Sequence, residues 1–358
     1  MDCLVVGGGL IGLLCARELA REGARVQVVD KGIVGREASW AGGGILSPLY
    51  PWRYPAPVNA LVRWSQQRYA AFLRQLEEET GVDPQWERSG LLILDTNERE
   101  RALTWGSENG VSVQRLDAGA LRRCEPALDP CWLEGLWLPE VAQLRNPRLL
   151  KALKSSLIRD EVEITEQTQV IRFIKEGDRV TGVVTASEQE LLADRVILAA
   201  GAWSGGLLPC LKHRVGPVQG QMIAFKAVGG LLTRIVLNQG CYVIPRRDGL
   251  VLAGSTLEYR GFDKKTTEEG RKRLQLEAQR MVPALAEYSV EYHWAGLRPG
   301  SPEGIPIIGE HPELQNLFVN VGHFRNGVVT ALASARLLTD LITGQRPIVI
   351  PDPYAILE

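Results

Sequence analysis

The sequence predicts an α/β protein with a second, β-rich part, each assembled from separated stretches of chain. Three observations carry this. The apolar run Leu4-Val5-Val6 passes straight into Gly7-Gly8-Gly9-Leu10-Ile11-Gly12 and then into a helix-patterned segment that ends near Arg21. A second apolar run, Val26 to Val29, stops at an acid, Asp30. The middle of the chain changes to short strands separated by turns, and the end returns to strand, turn and helix.

Each piece of the opening unit has a physical task. Gly7, Gly9 and Gly12 occupy the G-x-G-x-x-G places: the first permits a tight turn out of a strand, the second lets backbone approach a pyrophosphate, and the third lets helix and strand pack closely. Free N–H groups and the helix dipole favour an anion at that turn. Asp30 is placed to accept hydrogen bonds from a ribose diol, which argues against a 2′-phosphate. Strand, helix, second strand and terminal acid in this order predict a Rossmann-like dinucleotide site.

The composition narrows the function classes. The chain has 358 residues, a length that predicts roughly two domains. A net charge of −1 gives no global field to recruit nucleic acid or anionic lipid. The six cysteines (Cys3, Cys15, Cys124, Cys131, Cys210, Cys241) show no C-x-x-C pair and no metal-ligand spacing, so no metal is expected and a reducing, cytoplasmic compartment fits best. Leu4 to Ala16 reads as strand, phosphate turn and helix rather than as a signal peptide. No stretch approaches the ~20 apolar residues of a membrane span, so a soluble protein is expected.

Further along, Gly35 to Leu46 brings a second glycine cluster (Gly42-Gly43-Gly44), which suggests backbone pressed against more of the same ligand. Ala60 to Thr80 predicts a helix with Leu61, Trp64, Phe72 and Leu76 on one face and Gly81 as its stop. Gly90 to Leu94 predicts a strand. Thr168 to Ile174, Val180 to Thr185 and Leu191 to Ala200 predict three more, the last running into Gly201-Ala202-Trp203-Ser204. Gly216 to Thr256 is β-rich. Thr266 with Glu269 suggests a capping box for a helix reaching about Val282. Leu317 to Val321 predicts a strand, followed by the turn Gly322 to Gly327 and a helix from Val328 to Thr343. The expected layout is a Rossmann-like cofactor-binding domain (1–85, 145–215 and 296–358) and a β-rich, α+β substrate-binding domain (86–144 and 216–295).

The opening unit alone does not separate NAD from FAD. The loop from Ser39, the strand ending Ala199-Ala200-Gly201 and the Gly322–Gly327 turn together suit FAD. The chain resembles the D-amino-acid oxidase/sarcosine oxidase-type flavoproteins and, within them, the glycine oxidase branch. The resemblance rests on Val5 to Gly12, Val196 to Ser204, Cys241 to Arg246, Trp294-Ala295-Gly296-Leu297-Arg298-Pro299 and Gly322-His323-Phe324-Arg325-Asn326-Gly327. It implies noncovalent FAD, because the chain has no Cys after Cys241 and no His before His213 at the places where some relatives tether the cofactor. It implies FAD contacts at Gly7, Gly9, Leu10, Ile11, Gly12, Asp30, Lys31, Ala38, Ser39, Gly43, Gly44, Ile45, Val170, Gly201, His323, Phe324, Arg325, Asn326, Gly327, Val328 and Val329.

For the substrate, the resemblance implies Arg298 as a carboxylate anchor, whose planar fork matches a carboxylate bidentately. Tyr242 would meet the same carboxylate, Arg325 would stand near substrate or flavin, and Leu257 would form an apolar wall. The implied activity is oxidative deamination of glycine, with sarcosine and small D-amino acids as further substrates, using molecular oxygen and releasing an α-keto acid, an amine and hydrogen peroxide. A link to thiamin thiazole synthesis follows from the resemblance alone, as does a possible homo-oligomer. No protein acid or base is required, so no catalytic residue is named and His323 is read as a turn residue. Glycine has five heavy atoms, and a ceiling of about −1.5 kcal/mol per atom predicts a Michaelis constant nearer millimolar than micromolar. The alternatives are a dehydrogenase with a non-oxygen acceptor, a flavin-binding module without turnover and, less favoured, an NAD-linked dehydrogenase.

Overall fold

The computed structural model describes residues 1–356. A six-stranded sheet runs in the order Ile307–Glu310, Leu317–Val321, Arg195–Leu198, Asp2–Val6, Arg25–Val29, Glu163–Thr165. All neighbours are parallel except the edge strand Ile307–Glu310. Such a sheet needs helices on its faces, and Leu10–Arg21, Ala56–Thr80, Asn146–Arg159 and Gly327–Thr343 pack in one core cluster through Leu13, Leu61, Leu153 and Leu337. The parallel strands end together, so the turns after Val6, Val29, Leu198 and Val321 share one edge of the sheet. Ligands bind at that edge in open α/β folds.

An eight-stranded sheet lies beside it in the order Val290–Gly300, Gly216–Lys226, Leu250–Gly254, Cys241–Pro245, Ile235–Asn238, Leu91–Ile93, Glu134–Leu138, Gln114–Asp117. Its core joins Ile223, Val243 and Val251 to the helix Glu268–Met281. Where Val290–Gly300 crosses the short helix Ala38–Ala41, Trp294 Nε1 donates to the Ala41 carbonyl at 3.0 Å. A methyl group on Gly296 would stand 2.5 Å from Ala41 Cβ, so glycine is what lets the two meet. A small hairpin sheet (Val170–Glu176, Arg179–Thr185, Glu190–Leu192) completes the structure.

Three details differ from the sequence expectation. The run Leu191 to Ala200 is two strands, not one: Glu190–Leu192 stays with the hairpin and Arg195–Leu198 enters the parallel sheet. Asp194 makes the break, donating its N–H to the Asp2 carbonyl and accepting the Asp2 N–H on its carboxylate. The helix near 268 is capped by Thr267, whose hydroxyl accepts from Gly270 N at 3.1 Å, rather than by Thr266. Finally, Val290–Gly300 continues across the expected boundary at 296, which places Arg298 on the eight-stranded sheet.

Candidate active site

A cavity of about 590 Å³ runs along the edge where the parallel strands end and reaches the eight-stranded sheet. At one end the glycine turn is held by close contacts. Gly7 has φ +113° and a Cβ there would lie 2.4 Å from the Ala199 carbonyl oxygen, while a Cβ on Gly12 would lie 1.8 Å from the Gly7 oxygen. Asp30 accepts from Gly8 N and Gly32 N, each at 2.7 Å, so its carboxylate braces the turn as well as facing the cavity. Ser39 Oγ accepts the Leu10 N–H at 2.9 Å, at the N-terminus of the first helix. The residues present fit a dinucleotide: bare backbone, helix N–H groups and an acid at the second strand.

The far end is built by the turn before the last helix. His323 is buried, with Nε2 2.8 Å from Asn320 Oδ1 and Nδ1 3.1 Å from Thr330 Oγ1. Asn320 directs its own NH2 to Cys15 Sγ, so its oxygen accepts and the imidazole carries its proton on Nε2. Burial pushes the His323 pKa down to about 3, leaving the ring neutral. Asn326 Nδ2 is buried without a protein partner at the N-terminus of Gly327–Thr343. An unpaired buried donor is costly, and this one lines the cavity where the helix dipole favours negative charge. Both features suit the electron-rich end of a flavin.

Arg298 stands on the wall between these ends. Its Nη1 donates to the carbonyls of Gln219 (3.3 Å) and Thr256 (3.2 Å), and its Nη2 to Ser255 Oγ at 2.6 Å. Three of the five guanidinium donors are thus used. The Nε–H and one Nη2 N–H find no acceptor among the described residues. Burial lowers the Arg298 pKa, and Arg325 repels it further while Tyr242 opposes the shift. Gly220 lies diagonally across the strand pair, and a Cβ on it would fall 2.1 Å from Nη1. The guanidinium therefore occupies the space that glycine leaves. Beside it the Tyr242 hydroxyl donates to Met222 Sδ at 3.7 Å, and the two side chains meet over Gly254. Arg325 lines the cavity and has no hydrogen-bond partner among the described residues.

The cavity gathers Arg298, Tyr242 and Arg325 with Gly7, Gly9, Leu10, Ile11, Asp30, Lys31, Ala38, Ser39, Gly43, Gly44, Ile45, Val170, Gly201, His323, Phe324, Asn326, Gly327 and Val328. Three expected residues do not line it. Gly12 and Val329 are packed within their helices, Gly12 against the Gly7 carbonyl. Leu257 is 41 % exposed and outside the cavity wall, because the chain leaves the sheet after Gly254. The expected Leu257 wall is thus not part of the cavity in this structure. Sequence reasoning missed Gly220, Met222 and Ser255, which line the wall, and Arg246. Arg246 is half-buried, grips the carbonyls of Gly43 and Leu144 and the Gln143 side chain, and has its pKa lowered to about 10, chiefly by desolvation. It thus fixes the second glycine cluster. Glycines inside apolar strands at 220 and 254 were the available signal of close approach.

Residues 2–341 match the family described as FAD dependent oxidoreductase, DAO. The chain is 49 % identical to the glycine oxidase of Pseudomonas aeruginosa over 98 % of its length and 97 % of that protein. It is 32 % identical to the bifunctional protein ThiO/ThiG of Synechocystis, covering 96 % of this chain and 52 % of that one. The crystal structure of glycine oxidase from Geobacillus kaustophilus superposes with a TM-score of 0.94 at 28 % identity, covering 100 % of this chain and 98 % of that one.

Proposed function

Since this chain belongs to the FAD-dependent oxidoreductase family, we propose that it is a glycine oxidase, converting glycine, water and oxygen to glyoxylate, ammonia and hydrogen peroxide. The observation that carries the reading is that Arg298, with two donors unpaired among the described residues, lines the same cavity as the glycine turn and Asn326. FAD, when bound, supplies the two-electron acceptor and passes the electrons on to oxygen. The chain's own part is binding and orientation. The free Nε–H and Nη2 N–H of Arg298 form a fork for the substrate carboxylate. The Tyr242 hydroxyl adds a third donor by exchanging a weak thioether acceptor for a charged one. Ser255 and the Gln219 and Thr256 carbonyls hold the fork in register, so little orientation is lost on binding.

No protein base is required at this wall. His323 is too weak a base at a pKa of about 3 and its ring nitrogens are both engaged. The substrate amine therefore sheds its proton to water before reaction, and turnover rises with pH on that account. The restricted wall of Tyr242 and Met222 favours glycine and small amines such as sarcosine. Noncovalent attachment of FAD is part of this reading, as is the division into a cofactor-binding and a substrate-binding domain along the two large sheets. We also place the enzyme in a reducing, cytoplasmic setting, supported by six free cysteines, and assign the glycine imine, the species that water otherwise hydrolyses to glyoxylate and ammonia, to thiazole synthesis for thiamin, supported by the ThiO/ThiG likeness.

The test is anaerobic addition of glycine, sarcosine, D-alanine and D-proline to the yellow holoenzyme. Glycine is expected to bleach the flavin absorbance, and readmitted air to restore it with one peroxide per glyoxylate. Failure of all four amines to bleach it would overturn the reading.

A further inference from the structure

We infer that the segment Glu258–Thr267, which rises from the eight-stranded sheet, is a strap that retains FAD, with Phe262 as its clasp. This rests on the FAD-binding reading above and adds residues outside every matched motif. Trp203 lines the cavity, and the Phe262 ring stacks on it with centroids 5.6 Å apart and planes at 28°. Lys31, also on the cavity wall, holds its ammonium 3.3 Å from the centroid of the same indole. Next to the clasp, Lys264 pairs with Glu37, a third cavity residue, at 3.0 Å. The strap thus touches the cofactor side of the molecule at two adjacent points, although its root is on the substrate side.

The backbone of the segment is held firmly where the Phe262 side chain is not. Gln219 Nε2 donates to the carbonyls of Asp263 (2.8 Å) and Lys265 (3.1 Å), and Gln221 binds Glu258 and both the N–H and hydroxyl of Thr267. Those bonds tie both ends of the segment, Glu258 and Thr267, and the carbonyls on either side of Lys264 to one strand. The tip carries a Phe262 that is 54 % exposed and whose one ring partner among the described residues is Trp203. An exposed aromatic held against a cavity wall by one stacked partner is suited to a closure that opens locally without unfolding the sheet. Release of the dinucleotide then requires Trp203 to move, and Phe262 resists that movement.

The experiment is the rate at which FAD leaves the holoenzyme on dilution, read by the rise in free-flavin fluorescence, with the apoprotein melting temperature measured alongside. Phe262→Ala is expected to speed release about three- to tenfold, the range of one aromatic pair, and to leave the apoprotein melting temperature unmoved. Phe262→Tyr should retain the native rate. Lys264→Gln should speed release about twofold, since exposed ion pairs are weak. Phe262→Ala and Lys264→Gln with native release rates would overturn the strap, and if the alanine variant fails to fold, Lys264→Gln at the native rate does so alone. A chain that takes up no FAD at all would instead overturn the cofactor reading, so the two failures are distinct.

Discussion

The glycine turn and the Arg298 wall bind by opposite means. The turn uses backbone: Gly7, Gly9, the start of the first helix and the strand end at Asp30 all come from 24 consecutive residues, with one side chain, Ser39, bracing Leu10 N from outside. The wall uses side chains from three strands (Met222, Tyr242 and Arg298), the space left at Gly220, and Ser255 just beyond a fourth strand. A local backbone site survives as long as its glycines do. A convergent site survives only while the sheet register holds, because a one-residue slip turns every side chain to the other face.

The comparison breaks most severely at Gly12. A Cβ there would stand 1.8 Å from the Gly7 oxygen, which is backbone and cannot yield. Gly12→Ala must therefore separate helix from strand, at the upper end of the roughly 1–3 kcal/mol that overpacking costs. The expected outcome is a loss of FAD affinity on the order of 100-fold, measured by titrating apoprotein. Retention of native affinity would show that the turn tolerates rearrangement and is less rigid than its contacts imply.

At the wall, Arg298→Ala is expected to lower kcat/KM for glycine by at least about tenfold, since a single charged hydrogen bond is worth about 1.5–3 kcal/mol, while FAD binding persists. Gly220→Ala sharpens the point because it leaves Arg298 in place but fills its seat, with a Cβ 2.1 Å from Nη1. It should reproduce much of the Arg298→Ala defect, mainly in KM. Native KM in Gly220→Ala would mean that the guanidinium reaches substrate from another position.

The difference between the two regions also explains what was legible in the sequence. The turn, both flanking strands, the helix ended by Gly81 and the final helix ended by Gly344 are written in local signals: periodicity, glycines and a terminal acid. Both stops are left-handed, at φ +68° and +69°. Arg298 and Tyr242 were reached by resemblance, because nothing in composition or spacing brings position 242 beside 298. Met222 and Ser255 were not reached at all. Their place depends on the pairing of Met222 with Gly254 and of Gly254 with Tyr242, a register that emerges only when the strands are aligned. The split at Asp194 was hidden for the same reason, since the residue that ends the pairing does so through Asp2, far away in sequence.

His323 tests whether the buried polar cluster it forms with Asn320 and Thr330 is tied to stability. The unfolded chain protonates this imidazole below about pH 6.5, whereas the folded chain does so only near 3. Between those values acid favours the unfolded state, by up to about 1.4 kcal/mol per pH unit for one proton. Above pH 6.5 the group contributes no slope. His323→Asn should therefore flatten the fall in denaturant stability between pH 6.5 and 5 by about 1–2 kcal/mol relative to the parent. An unchanged slope would assign the acid sensitivity to His293 and His311, whose pKa values burial also lowers.

The smallest expected effect separates resemblance from geometry. Leu257 was expected to line the substrate pocket because of the position it occupies in the matched family, yet the chain has left the sheet by that point and the side chain is 41 % exposed. Met222, whose sulfur accepts the Tyr242 hydroxyl, does line the cavity. Leu257→Ala should then leave kcat/KM for glycine within about twofold, as surface substitutions usually do. Met222→Ala should alter the ratio of glycine to sarcosine turnover, because it removes volume beside the carboxylate anchor. The opposite pattern, with Leu257 setting the ratio and Met222 indifferent, would mean that the segment after Gly254 folds inward when substrate binds.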